Sequence, residues 1–180
     1  ALGVAPMLYR ERSLRWPWMM DFRTLLLVAG AVTFGGLLGP VLLLSGLRLA
    51  SAASVSMWLN LEIVATALLG HFVFKDRLGK LSLLGTGGVI LAAGLLSWSD
   101  GQAGLLAGGL VALACLSWGI DNHLTAIIEG ITPAQSTLWK GLVAGTVNLA
   151  LGLRLEPMTV SPSFIGAALL VGVFSYGVSI

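Results

Sequence analysis

The sequence predicts an all-α integral membrane protein, a polytopic helical bundle, on three observations. Of its 180 residues, 57% are hydrophobic and only 10% charged, with a mean hydropathy of +0.95. A soluble domain carries about 25% charged residues, and ten cationic with eight anionic side chains cannot coat 18.7 kDa of protein with a water-facing surface. The apolar runs are continuous and match the roughly 20 residues a helix needs to cross a bilayer. A membrane β-barrel would instead show alternating stretches of about ten residues. Finally, the chain holds 24 glycines, a residue more frequent in membrane helices than in soluble ones. The hydrophobicity excludes a disordered chain, and the single Cys115 excludes a disulfide scaffold.

Reading between charges and helix breakers gives six spans, 24–47, 50–74, 81–99, 103–128, 135–153 and 163–180, preceded by an apolar stub at 1–8. The stub is too short to span and carries no small-residue cleavage site of a signal peptide. The last span ends without a polar flank, so the sequence reads as an internal piece of a longer protein.

Charge then sets the orientation, because Lys and Arg concentrate in short cytoplasmic loops. Arg10, Arg12, Arg15 and Arg23 precede the first span, Lys75, Arg77 and Lys80 follow the second, and Lys140 lies near the turn before the fifth. Only Arg48 and Arg154 fall on the other side. The loops 9–23, 75–80 and 129–134 are therefore expected in the cytoplasm, with the protein in the cell (inner) membrane. The basic pI of about 9.0 reports this topology. A nucleic-acid footprint would need a clustered basic face, and the sequence has none.

Polar residues inside the spans mark candidate sites, since an ionised group costs about 2.5–3.5 kcal/mol at a helix centre. Glu62 lies midway along the second span. Helical spacing sets it on one face with Ser51, Ser54, Trp58, Ala65 and Leu69. Two readings stand: a carboxyl that binds substrate or a coupling proton, and a neutral Glu that hydrogen-bonds a neighbouring helix. Asn60 lies on a different face, as polar glue between helices. In the fourth span Trp118, Asp121, Asn122 and Thr125 recur at i, i+3, i+4 and i+7. Asp121 and Lys140 are equally far from the turn joining their helices. This predicts a structural ion pair, with a polar cluster at the mouth of a substrate cavity as the alternative. Two distant histidines, His71 and His123, and one Cys make no metal site.

Glycine and proline give the third signal. Pro40 has no N–H, so the Gly36 carbonyl loses its α-helical donor and the first span should kink there. Broken helices near the midplane are how transporters bring backbone polar groups to a substrate. Gly35/Gly39, Gly104/Gly108 and Gly141/Gly145 have the spacing that lets helices approach closely. No phosphate loop, carboxylate pair or nucleophile with its base emerges, so neither an enzyme nor a bound cofactor is expected.

The run Gly46-Leu47-Arg48-Leu49-Ala50-Ser51-Ala52-Ala53-Ser54-Val55-Ser56, then Leu59-Asn60-Leu61-Glu62, Phe72-Val73-Phe74-Lys75-Asp76-Arg77-Leu78 and Leu84-Gly85-Thr86-Gly87-Gly88-Val89-Ile90-Leu91-Ala92-Ala93-Gly94, resembles the end of an EamA-type repeat of the drug/metabolite transporter superfamily. The family's short charged loop is commonly Gly-Glu-Arg-like and is Lys75-Asp76-Arg77 here. The stretch 104–121 with Pro133 is similar to the start of a second repeat. The resemblance implies ten spans in two inverted five-helix repeats. Residues 1–99 would run from the end of the second helix through the fifth, and 103–180 from the sixth into the eighth. Setting Gly35 on Gly172 places Gly39-Pro40-Val41 on Tyr176-Gly177-Val178, in spans of opposite direction. It also implies secondary transport, expected as export, of a small metabolite or drug-like molecule by alternating access. Pro40, Gly36, Glu62 and Trp58, with Trp118, Asp121 and Asn122, would line the path. A non-transporting membrane subunit and a membrane-embedded enzyme are the alternatives. Substrate, coupling ion, direction and self-association into a homo-oligomer stay open.

Overall fold

The computed structural model describes residues 9, 15–99, 101–155 and 161–174. Among them every long element is helical. The stub at 1–8 and the end of the sixth expected span, 175–180, with the Tyr176-Gly177-Val178 match, lie outside the described residues.

Four helical segments are long and apolar enough to cross a membrane: Phe22–Leu47, Ala52–Phe72, Lys80–Trp98 and Gly101–Ala126. They correspond to the first four expected spans. The fifth is helical over Pro133–Leu155 but is not among these four, because Gln135, Ser136, Thr137, Lys140, Thr146, Asn148 and Arg154 dilute its apolar run. The described part of the sixth is the shorter helix Pro162–Gly172.

The first two spans are interrupted. The first consists of α1 (Phe22–Ala31), a π-helical segment over Val32–Leu38, and α2 (Gly39–Leu47), whose first turn contains Pro40. The expected break at Pro40 thus takes the form of a widened turn just before it. A π turn aims each carbonyl at a donor five residues ahead instead of four, which suits a stretch where the α-helical donor at position 40 is missing. The second span was expected as one continuous helix, and it is not. It divides into α3 (Ala52–Trp58) and α4 (Leu61–Phe72). At the join the Asn60 side-chain amide and backbone N–H both donate to the Met57 carbonyl, at 2.9 and 3.2 Å, and the Glu62 N–H donates to Leu59 at 3.0 Å. Asn60 therefore serves its own turn and not a neighbouring helix, because an Asn side chain competes for local backbone groups. The remaining helices are α5 (Lys80–Ser99), α6 (Gly101–Ala126), α7 (Pro133–Leu155) and α8 (Pro162–Gly172).

The chain divides into two compact units, one formed by 1–32 with 127–180 and the other by 33–126. In the second, α6 is the central helix, packed by α2, α3, α4 and α5. Its sequence permits this because Gly104, Ala107, Gly108, Ala114 and Gly119 are small and buried, and small residues let membrane helices approach closely. A Cβ on Gly119 would lie 3.1 Å from the Thr66 backbone nitrogen of α4. The core of this unit is Val55, Trp58, Ala107, Val111 and Cys115. Trp58, expected on the Glu62 face, is fully buried in that core.

In the first unit α7 packs on α1. The Thr132 hydroxyl accepts from the Gln135 N–H at 3.3 Å at the start of α7. The Arg15 N–H donates to Gln135 Oε1 at 3.3 Å, and the Trp139 indole donates to the Arg15 carbonyl, also at 3.3 Å. Trp16 stacks on Trp18 with ring centroids 4.8 Å apart.

Candidate functional site

The polar residues singled out in the sequence meet around α6 within the unit 33–126. On one side α6 seats against the first span. A Cβ on Gly39 would collide with the Trp118 indole, and one on Gly35 with the Asp121 carboxylate. Two bare backbone positions therefore hold two large polar side chains. The Trp118 indole N–H donates to the Gly35 carbonyl at 3.1 Å. From Gly35 the π register points to Pro40, which has no N–H, and the indole supplies a donor instead. Asp121 is buried and accepts from the Thr125 hydroxyl one turn on, at 3.0 Å.

On its other side α6 meets α4. Asn122 Nδ2 donates to Glu62 Oε1 at a long 3.4 Å and to Thr66 Oγ1 at 3.3 Å. Glu62 is half-buried and lies in the first turn of α4, where the helix dipole favours negative charge. Asn122 is exposed, so this pair opens outward and is not sealed into the core. The break leaves the Trp58 carbonyl without its usual donor, since the Glu62 N–H turns to Leu59. The Cys115 thiol lies 3.8 Å from both the Trp58 and the Leu59 carbonyls, and a thiol is a weak donor.

Of the expected site residues, Glu62, Asn122, Trp118 and Asp121 lie along α6 and its neighbours. Gly36 and Pro40 flank the turn that presents Gly35, and Trp58 belongs to the core. Asp121 falls in the unit 33–126 and Lys140 in the other. The four-residue pattern Trp118, Asp121, Asn122, Thr125 is divided between two partners, the first span and α4. Two residues escaped the sequence reading. Thr66 lies one turn after Glu62, a spacing that could have revealed it. His123 donates from Nε2 to the Thr66 carbonyl at 3.0 Å and stacks on Phe74 at 4.3 Å. His71 donates from Nδ1 to the Asp76 carbonyl at 2.8 Å, in the loop where Lys75 takes a φ of 61°. Among the described residues no group of His, Cys, Asp and Glu could hold a metal ion.

In the unit made of 1–32 and 127–180, a cleft of about 370 Å³ is lined by Asp21, Arg23, Thr24, Leu27, Ile127, Glu129 and Gly130. Asp21 caps α1 by accepting from the Thr24 N–H at 3.1 Å, and the Thr24 hydroxyl donates to the Glu129 carbonyl at 3.2 Å. Hydrogen bonding from Thr24 holds the Asp21 carboxyl below its ordinary value of 3.8.

The fold and site define a class: a multi-pass helical membrane protein whose intramembrane polar groups gather where helices break. The chain belongs to the EamA-like transporter family, whose model matches residues 2–98, more than half of it. It is similar to an uncharacterized transporter of Methanothermobacter thermautotrophicus (strain Delta H), 30% identical over 172 residues, which cover 88% of this chain and 48% of that protein. The chain thus spans about half the length of the curated relative it matches. No solved structure matches it.

Proposed function

We propose that this chain forms part of a small-molecule transporter of the drug/metabolite type, working by alternating access between the two halves of a ten-helix inverted-repeat fold. Residues 1–99 and 103–180 belong to its first and second repeats. The observation that carries this reading is the position of Glu62. It occupies the first turn of a half-helix that begins in mid-span, and an amide from the central helix α6 holds it. Discontinuous helices with polar groups at their inner ends are a recurrent design of secondary transporters, and intramembrane carboxyls mark ion and substrate paths. Family membership and the transporter-named relative support transport over enzymology.

In this reading the protein lies in the inner membrane with 9–23, 75–80 and 129–134 in the cytoplasm. It exports a small metabolite, with Glu62 taking up the coupling proton or the substrate. Efflux from proteoliposomes holding the full-length protein, driven by a pH gradient, tests the reading. Glu62→Gln is expected to abolish the dependence on the gradient, and unchanged coupling would overturn the role of Glu62. Absence of any protein-dependent flux across a metabolite panel would favour a structural subunit.

A further inference from the structure

We propose that the cleft at the start of the first span is a headgroup site for a zwitterionic aminophospholipid of the phosphatidylethanolamine type. The Arg15 and Arg23 guanidiniums take its phosphate, and the Asp21 and Glu129 carboxylates take its ammonium. This goes beyond the transporter reading and does not depend on it, because the cleft belongs to the unit 1–32 with 127–180 and Glu62 to the other.

The balance of charge around the cleft carries the argument. Asp21 and Glu129 line it together with Arg23. A Cβ added to Gly130 would lie 3.5 Å from the Arg15 guanidinium, which sets a second cation at the rim. The Asp21 carboxylate is held by Thr24 and by backbone N–H groups, not by a guanidinium. Among the described residues the charged groups of Arg15, Arg23 and Glu129 form no ion pair. A ligand of one sign would meet as many like charges here as opposite ones. A ligand that carries both signs finds a partner for each. The cleft's volume of about 370 Å³ falls within the about 300–1,000 Å³ of small-ligand sites. Guanidiniums pair with phosphate oxygens in a bidentate fork. An ammonium brings three N–H donors to carboxylates that only accept. A choline headgroup has no N–H to give them, and a glycerol headgroup no positive charge.

Placement selects a lipid over a soluble zwitterion. Asp21 stands immediately before the membrane-crossing segment Phe22–Leu47. Trp16 lies 4.8 Å from Trp18 and 5.6 Å from Trp139 between ring centroids, and the Trp139 indole holds the Arg15 carbonyl. Tryptophan gathers at the level of lipid headgroups. Phe22 and Leu26, one position before Arg23 and Leu27 on α1, are exposed and give acyl chains an apolar path along the helix. The frame of the cleft is fixed, because the buried Thr24 hydroxyl ties the Glu129 carbonyl to α1.

Native mass spectrometry of the full-length protein, stripped of lipid in detergent, tests the assignment. The probes are dioleoyl phosphatidylethanolamine, phosphatidylcholine and phosphatidylglycerol. Phosphatidylethanolamine is expected to bind roughly fivefold more tightly than the other two, about what one exposed ion pair contributes. Glu129→Gln should erase the preference over phosphatidylcholine, because only the ammonium loses its partner. Arg23→Gln should weaken both lipids alike, because they share the phosphate. Both side chains are exposed, and the backbone bond from Thr24 to Glu129 survives either change. The preference is a ratio within one variant, so a loss of folded protein does not imitate its loss. Retention of none of the lipids, equal binding of all three, or a preference that survives Glu129→Gln overturns the site. Glycerophosphoethanolamine, the same headgroup without acyl chains, is expected to leave the bound lipid in place at equal concentration. Displacement by it would overturn the lipid and assign the cleft to a soluble zwitterion.

Discussion

The two interrupted spans solve the same problem in unequal ways. In the first, a π-helical turn ahead of Pro40 exposes the Gly35 carbonyl, and the break is fastened from outside by the Trp118 indole, a strong donor at 3.1 Å. Gly35 and Gly39 are tightly covered by Asp121 and Trp118. In the second, Asn60 closes the turn from within, the Glu62 N–H donates to the Leu59 carbonyl at 3.0 Å, and the Trp58 carbonyl meets the Cys115 thiol at 3.8 Å. The fastened break is built into the packing of α6, whereas the loosely held one adjoins Glu62. Two interrupted helices in one bundle thus differ in what holds them: one is fastened by a side chain of α6, the other chiefly by its own Asn60.

The contrast is broken most severely at the fixed joint. Gly35→Ala forces a Cβ into the Asp121 carboxylate, and overpacking of this kind costs about 1–3 kcal/mol. A lowered thermal midpoint in detergent is the expected outcome, with partial recovery when Asp121→Ala is added. If the double variant is no more stable than the single one, the clash is not the cause. Trp118→Phe keeps the ring and removes the N–H, costing about 0.5–1.5 kcal/mol. Amide exchange should accelerate over 32–41 and stay unchanged over 55–62. Asn60→Ala probes the looser joint. Because Asn60 is exposed and its bond is local, a loss of about 0.5 kcal/mol is expected, with faster exchange confined to 57–62.

The smallest effect lies outside both breaks, at the cap of α1. The Asp21 carboxyl is held below 3.8, so its stabilisation is complete above that ordinary value and fades as pH falls through the lowered one. Asp21→Asn should preserve the cap and remove this acid-side loss, which unfolding scans at graded acidic pH would register.

The first four spans were legible because their apolar runs are long and hold few charges, and Glu62, Trp118, Asp121 and Asn122 stood out because polar groups in lipid are costly. The first break announced itself through Pro40. The second did not, since Leu59-Asn60 carries neither Gly nor Pro, and a side-chain amide closing its own turn leaves no periodic trace. Trp58 lies fully buried in the core beside Cys115. The pairing of Gly35 with Asp121, and of His123 with Thr66, depends on which helices neighbour one another, and helical spacing within one segment carries no such information. The polar character of α7 was visible in its composition, yet the spacing of its breakers alone made it look like an ordinary span.

The join between α3 and α4 has an electrical consequence. Glu62 stands at the middle of the 21-residue segment Ala52–Phe72, so a monovalent ion reaching it from either face crosses about half of the transmembrane field. A full crossing is worth about 2.3 kcal/mol per 100 mV, and this half-crossing about 1.2 kcal/mol. Under the proposed transport reading, occupancy of Glu62 by a cation would therefore be sensitive to voltage. At a fixed pH on both sides, a change in membrane potential alone would then shift how much of the site is filled.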